Sequence, residues 1–231
     1  MVLYINGKKA KSLYYNGKKI KEAWRNGVKV FSSEPYAPGT VFVNKQGPAT
    51  FTQTLEPGVY YIDVTGGGGG GGQLQLKAGD TNTAVLGGSG GCCYGEFYLK
   101  TKSTVYLEAG NPGDNVLGAG TEATAGICKI NSENFLTASG GVSGDMGNLK
   151  GGAGGKATIN SLNTVQNINI KAVTGNAGSN YKNNTSTLTT ASVSPHGWGG
   201  VIVYYAGNNG HSTAEKGNYG GIFLQYIRNS I

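Results

Sequence analysis

Seven consecutive glycines, 66–72, follow without a break on the strand-forming run Val59–Thr65. Glycine loses more conformational freedom on ordering than any other residue. Such a segment is therefore either slack or given neighbours that its bare backbone can bond. Further clusters stand at GGSGG (87–91), 118–126, 140–155, 197–200 and 217–221, and the chain holds 42 glycines in 231 residues. Within 140–155, Gly141, Gly144 and Gly147 keep a period of three before the phase shifts near Lys150. Period three is the repeat of left-handed extended helices, where only glycine fits against a close neighbour. Aperiodic glycine instead reads as mobile loop. The 14 Tyr, 6 Phe and 2 Trp among the clusters weigh toward order, because low-complexity tails are poor in aromatics.

Between the clusters lie short runs rich in Tyr, Val, Ile and Thr, the residues that suit a pleated surface. Strands are expected at 40–43, 59–65, 96–99, 104–108, 167–173, 186–193, 200–205 and 222–227. No stretch carries an apolar stripe of 3.6-residue period and helical length. The fold class is all-β: a small N-terminal antiparallel meander, then a glycine-rich β-sandwich-like domain with polyglycine-type segments. The stretch SSEPYAPGT (32–40), with two prolines and no periodicity, places a linker at 34–40. It separates an attachment module at 1–33 from the glycine-rich domain at 41–231.

The N-terminal module repeats every ten residues, as LYINGKKAKS, LYYNGKKIKE and AWRNGVKVFS. Asn-Gly suits both central positions of a type I′ turn, so Asn6-Gly7, Asn16-Gly17 and Asn26-Gly27 predict a four-stranded meander. Its strands fall near 2–5, 8–15, 18–25 and 28–31. Alternation by residue parity assigns Ala10, Ser12, Tyr14, Ile20, Trp24, Val28 and Val30 to one face. Lys9, Lys11, Lys19, Lys21, Arg25 and Lys29 fall on the other. The chain's net charge of +7 resides wholly in residues 1–33, the remaining bases and acids being equal in number. The lysine face is a solvated face that discourages edge pairing or a docking surface for an acidic partner, with Lys9, Lys11, Lys19, Lys21, Arg25 and Trp24 as contacts. Nucleic acid is disfavoured, since no stacking aromatics share that parity and no nucleic-acid motif occurs.

Sequence signals of chemistry are sparse. His196 and His211 have no Cys or acid at zinc-ligand spacing. Asp80, Asp114 and Asp145 lack a second acid within four residues, which calcium coordination wants. The polyglycine run lacks the Gly-Lys-Ser/Thr ending that holds phosphate, and no nucleophile elbow occurs. The expectation is a non-enzymatic chain with no catalytic residue, metal or cofactor. Cys92, Cys93 and Cys128 are expected as free buried thiols, with one bridge to Cys128 left open. No apolar run approaches 18 residues, so no membrane insertion is expected, and the N-terminus lacks a signal-peptide core.

GVYYIDVTGGGGGGG (58–72) resembles the opening strand and polyglycine run of glycine-rich domains in bacteriophage tail and tail-fibre proteins. GGSGGCCYGEFYLKTKSTVYLEAG (87–110), TASGGVSGDMGNLKGGAGGKA (137–157) and GNYGGIFLQYI (217–227) follow the same order. The NGKK repeat resembles short modules ahead of such domains. The clusters also resemble the polyglycine receptor-binding adhesins of T-even-like phages, although the spacer 156–196 is longer and richer in strand formers. The resemblance implies a virion structural protein of the tail or tail fibre, made in the host bacterial cytoplasm, with other tail proteins as partners. It also implies an alternative, an adhesin that binds a host-surface glycan or an outer-membrane receptor, and a homotrimer or single copies as its assembly. Loop aromatics would then meet the ligand, and Tyr94, Phe135, Tyr181, Trp198 and Tyr219 are the candidates.

Overall fold

The run that leads into the seven glycines lies at the centre of the molecule. The computed structural model describes residues 4–5, 8–9, 13–16, 18–20, 22–25, 28–32, 34–73, 83–114, 116–117, 120–148, 150–182, 188–205 and 212–231. Numbered in chain order, the sandwich strands are β1 (Val41–Gln46), β2 (Thr50–Leu55), β3 (Gly58–Thr65), β4 (Cys92–Leu99), β5 (Ser103–Glu108), β6 (Gly126–Ile130), β7 (Glu133–Ala138), β8 (Ala157–Ile159), β9 (Val165–Asn167), β10 (Lys171–Val173) and β11 (Gly221–Arg228). One sheet has the order β9–β4–β3–β11–β1, with β10 also paired to β4; the other has the order β8–β7–β6–β5–β2. Every pairing in both sheets is antiparallel. No helix occurs among the described residues. The chain is all-β, as its composition predicts.

Period-two alternation builds the core. Tyr60, Ile62 and Val64 leave β3 on one face and meet Val105, Leu107, Cys128, Ile130 and Leu136 of the second sheet, all of them buried. A chain of rings runs through it: Tyr36 to Tyr226 at 5.4 Å, Tyr226 to Tyr60 at 5.5 Å, Tyr60 to Phe97 at 5.7 Å, and Phe97 to Phe135 at 5.5 Å. Tyr60 and Phe97 stack while the other three pairs meet edge to face, and both arrangements add to the burial energy. Tyr36 comes from the 34–40 stretch read as a linker; it packs on the core, and its hydroxyl accepts from the Glu56 N–H at 3.2 Å.

At one end of the sandwich, strands run on into glycine. β3 passes into 66–71, β5 into 109–114, β7 into 139–144 and β10 into 174–179, while 87–91, 120–125, 151–156 and 217–220 lead into β4, β6, β8 and β11. These segments bond one another. Gly66, Gly67 and Gly68 donate to the carbonyls of Gly91, Thr124 and Asn218, at 3.0, 3.1 and 2.9 Å; the cycle then begins again, with Gly69 donating to Gly88 and Gly70 to Thr121. Successive N–H groups thus point in three directions, the signature of three residues per turn. The carbonyls of Gly67, Gly68 and Gly70 accept in turn from Gly141, Gly113 and Gly144. Segment 87–91 repeats the pattern, Gly88 and Gly91 donating to Val142 and Ser139 while Ser89 donates to Asn176. A Cβ on Gly67 would run into the Asn111 carbonyl, and one on Gly88 into the Ala153 carbonyl. The clusters are an ordered bundle of extended glycine helices.

Two smaller sheets complete the body. One pairs Val116–Leu117, Gly72–Gln73, Thr83–Val85 and Asn180–Lys182, and the other pairs Leu188–Thr190, Val201–Tyr205 and Ser212–Gly217.

In the N-terminal module Ile5 pairs opposite Lys8, Tyr15 opposite Lys18 and Arg25 opposite Val28; apart from Asn16, the Asn-Gly residues expected to head these turns lie outside the described residues. Asn16 has φ 49°, as a type I′ turn requires. Lys8–Lys9 pairs backward with Tyr4–Ile5 and Leu13–Tyr15 forward with Lys18–Ile20, so the described residues of the module form three two-stranded ladders. The face assignment by parity is corrected. A two-residue loop places odd positions opposite even ones, and cross-strand partners share a face. Tyr4 lies opposite Lys9, Tyr14 opposite Lys19 and Trp24 opposite Lys29, so aromatic and basic positions share faces. Tyr14 and Tyr15 are 63% and 70% exposed. Lys11 and Lys21 lie outside the described residues.

Gly88→Ala is expected to cost about 2–3 kcal/mol through overpacking against fixed backbone, lowering Tm by roughly 5–10 °C for a chain of this size. Gly147→Ala, whose Cβ would meet only the Asp145 carboxylate at 3.3 Å, should change Tm little. Amide exchange at 67–70 and 88–91 should be as slow as in β3; prompt exchange there would contradict a bonded bundle.

Candidate binding surfaces

The outer face of the first sheet carries a buried carboxylate. Alternation sends Tyr61, Asp63 and Thr65 of β3 away from the core, yet Asp63 is fully buried because the loop 191–200 folds over it. Its Oδ1 accepts from Thr65 Oγ1 at 2.9 Å and Cys92 Sγ at 3.1 Å. Its Oδ2 accepts from Ser194 Oγ at 2.9 Å and His196 Nδ1 at 2.6 Å. Four donors offset the desolvation that a lone buried carboxylate would suffer. The His196 ring, its side chain 28% exposed, stacks on Trp198 at 4.5 Å and leans on Phe223 at 4.9 Å. Ser192 Oγ accepts from Ser194 N–H and donates to the Trp198 carbonyl, closing the loop on itself. Trp198 lies against Gly221, where a Cβ would strike its ring.

An aspartate–histidine pair beside a serine invites comparison with a hydrolytic triad. Here Ser194 donates to the same carboxylate oxygen as the imidazole, so its proton is committed to Asp63 and is not offered to the histidine. The cluster ties a loop to a sheet. Among the described residues no group of three or more His, Cys, Asp or Glu side chains could hold a metal ion.

The candidate contact residues separate in the structure. Phe135, 1% exposed, belongs to the core beside Phe97, so its proposed ligand contact is corrected: it alternates inward from β7. Trp198, 7% exposed, is also corrected, being consumed by Gly221 and His196. Tyr94 is half-buried opposite Asp63, with Lys171 Nζ 6.0 Å from its ring. Tyr219 is half-buried, with Lys216 Nζ at 5.7 Å. Tyr181 lies on Asn180–Lys182 opposite Ala84; its side chain and His211 fall outside the described residues.

The outer face of the second sheet was not anticipated. Thr52, Tyr106 and Lys129 lie in one row across β2, β5 and β6, with Thr54 and Thr104 in the next, their hydroxyls 3.1 Å apart. Tyr106 Oη donates to Glu108 Oε2 at 2.7 Å, which together with burial raises the phenol's pKa. Thr52, Thr104, Tyr106, Lys129 and Ser132 line an open hollow of about 300 Å3. A second, of about 210 Å3, is lined by Pro48, Ala49, Thr50, Glu108, Ala109 and Asn111. Of the strands of this sheet, β5 was expected at 104–108, whereas β2 is legible only as the alternation TFTQT (50–54) and β6 and β7 only as the runs around Asn131-Ser132.

All three cysteines are free and buried. Burial pushes the Cys93 thiol up to about 12 from the ordinary 9.0 and raises Cys92 and Cys128 as well, with the Asp63 carboxylate adding to the effect at Cys92. Burial likewise pushes Tyr61 up to about 12. Protons held more tightly when folded mean stability that is full below the unfolded value and lost as pH rises through the folded one. Tm is therefore expected to hold to about pH 9 and to fall toward pH 12; a flat profile would contradict this. Asp63→Ala should cost about 3 kcal/mol by orphaning four donors. His196→Ala should cost less and combine with it less than additively, as denaturation of the double variant would read.

No protein-family model and no curated protein matches the chain.

Proposed function

We propose that the protein is a non-enzymatic structural component of a phage tail or tail fibre. Its N-terminal hairpins dock onto a neighbouring tail protein, and its glycine-rich body projects as a rigid unit. The observation that carries this reading is the hydrogen-bonded glycine bundle continuous with the sandwich strands, the arrangement for which the resemblance to glycine-rich tail proteins was drawn. The separation of charge supports it: the whole net +7 lies in residues 1–33, which suits attachment by one end to an acidic surface.

A second reading, a receptor-binding adhesin, is favoured by the hydroxyl-lined hollows along β2 and β5, because sugars are met by hydroxyls and aromatic faces.

Particles assembled with a chain lacking 1–33, or carrying charge reversals at Lys9, Lys19 and Arg25, are expected to contain less of the protein, read by quantitative blotting of purified virions. Wild-type levels would remove the docking role. The intact purified protein should block adsorption to host cells only if the adhesin reading holds.

A further inference from the structure

Ser132 has φ 71° and Asn131 φ 50°, and together they form the two-residue loop that joins β6 to β7, closed by Ile130 opposite Glu133. Both positions of such a loop need the left-handed region, and the second is where glycine is the default. The sequence carries Asn-Gly three times within its first 33 residues, each time between two residues that pair across an antiparallel ladder. At 131–132 it places Asn-Ser, accepting a strained serine. Strain of this kind persists where the surroundings over-determine it and a side chain is wanted. The Ser132 side chain lines the hollow of about 300 Å3.

The two hollows belong to successive rows of one face. Thr50 and Glu108 line one, Thr52 and Tyr106 the other, and these are neighbouring pairs of the β2–β5 ladder. Taken end to end, the two open hollows form a trough from Thr104 to Asn111, roughly 23 Å long at about 3.3 Å per residue. Its chemistry is mixed in a specific way. Tyr106 supplies an aromatic ring; Thr52, Thr104 and Ser132 supply hydroxyls; Glu108 supplies an acceptor; and the Lys129 ammonium, 5.8 Å from the Tyr106 ring, is in no ion pair among the described residues. A pyranose presents the complement, an apolar C–H face for the ring and a rim of hydroxyls for the donors and acceptors. An open trough several sugar units long fits a chain and not a small enclosed molecule.

We propose that this trough on the outer face of the second sheet binds a linear oligosaccharide, with Tyr106 as the stacking platform and Lys129, Glu108 and Ser132 as hydroxyl partners. The proposal deepens the receptor-binding reading and rests on it for the source of the glycan, a bacterial surface polysaccharide.

The test uses the full chain on an array of bacterial surface polysaccharides, followed by calorimetry with an oligosaccharide cut from the polysaccharide retained. Tyr106→Ala is expected to weaken binding about tenfold or more, Lys129→Ala less, and Tyr106→Phe little. Ser132→Gly separates function from folding: it should raise Tm by a few degrees, by relieving the left-handed serine, while lowering affinity. No retained polysaccharide, or wild-type affinity in Tyr106→Ala and Ser132→Gly, would overturn the proposal. Blocked adsorption by wild-type protein that Tyr106→Ala leaves intact would keep the adhesin reading and sink this site. Glycan binding lost in Tyr106→Ala without any block of adsorption would keep the site and sink the adhesin reading.

Discussion

A buried peptide group has to find a partner, and in the glycine bundle that demand is met by backbone alone. Each N–H from Gly66 to Gly70 has a carbonyl acceptor on a different segment. A net gain near 1 kcal/mol per bond stands against an ordering cost of about 1–2 kcal/mol per residue, largest for glycine. The bundle therefore cannot order itself from its own bonds. What tips the balance is that its segments are continuations of sandwich strands, fixed at one end by a core of buried Tyr, Phe, Ile, Val and Leu. The hydrophobic burial of the sandwich orders the first residue of each glycine segment, and the lateral bonds propagate that order outward.

The same coupling explains why the two outer faces differ. Near the bundle the first sheet meets the loop 191–200, whose Gly199 N–H bonds the Tyr219 carbonyl while its own carbonyl accepts from Gly90. The loop is held by the bundle on one side and by Asp63 on the other, and that end of the face is closed. The corresponding rows of the second sheet carry Thr50, Thr52, Thr54, Thr104 and Tyr106, and among the described residues no loop covers them closely enough to remove the hollows. Because Ala109 N–H bonds the Ala49 carbonyl, antiparallel geometry leaves the N–H and C=O of Thr50, Thr52 and Thr54 pointing out from the free edge of β2. Polar side chains and a polar edge together keep this flank wet.

Local signals were legible where the physics is local. β3, the glycine order and the Asn-Gly hairpins follow from propensity, from period three and from turn chemistry. β2, β6 and β7 were missed for identifiable reasons. TFTQT is threonine-rich and half exposed, so it lacks the apolar run that marks a strand, and Asn131-Ser132 is a type I′ turn without its usual glycine. Parity failed in the hairpins because a two-residue loop exchanges odd for even across the ladder. Asp63 and His196 are 133 residues apart and belong to no motif; only the fold brings them together. Trp198 reads as a loop residue because Gly197 and Gly199 flank it, yet its ring packs on Gly221 and His196; Phe135 gives no inward signal by alternation because Leu136 beside it is buried as well.

A core that recognises only the absence of a Cβ has a particular consequence for what the surface can become. Gly67 and Gly88 face neighbouring carbonyls and admit no side chain, whereas Thr121, Thr124, Ala153 and Ala177 in the same bundle point outward and are exposed. Thr121 and Thr124 bond Asp114, Asn111, Gly70 and Gly67 through the main chain, and their hydroxyls also accept from the N–H groups of Asp114 and Asn111 at 2.6 and 2.7 Å; Ala153 serves the bundle through its carbonyl alone, which accepts from Val142, a bond that almost any residue could make. Side-chain identity is thus free of the bundle's bonding at outward positions such as Ala153 and Ala177, used in part at Thr121 and Thr124, and fixed at the inward glycines. A scaffold of this kind can change its exposed face without repacking a core. Such decoupling suits a protein whose surface has to follow a changing partner while its interior stays rigid.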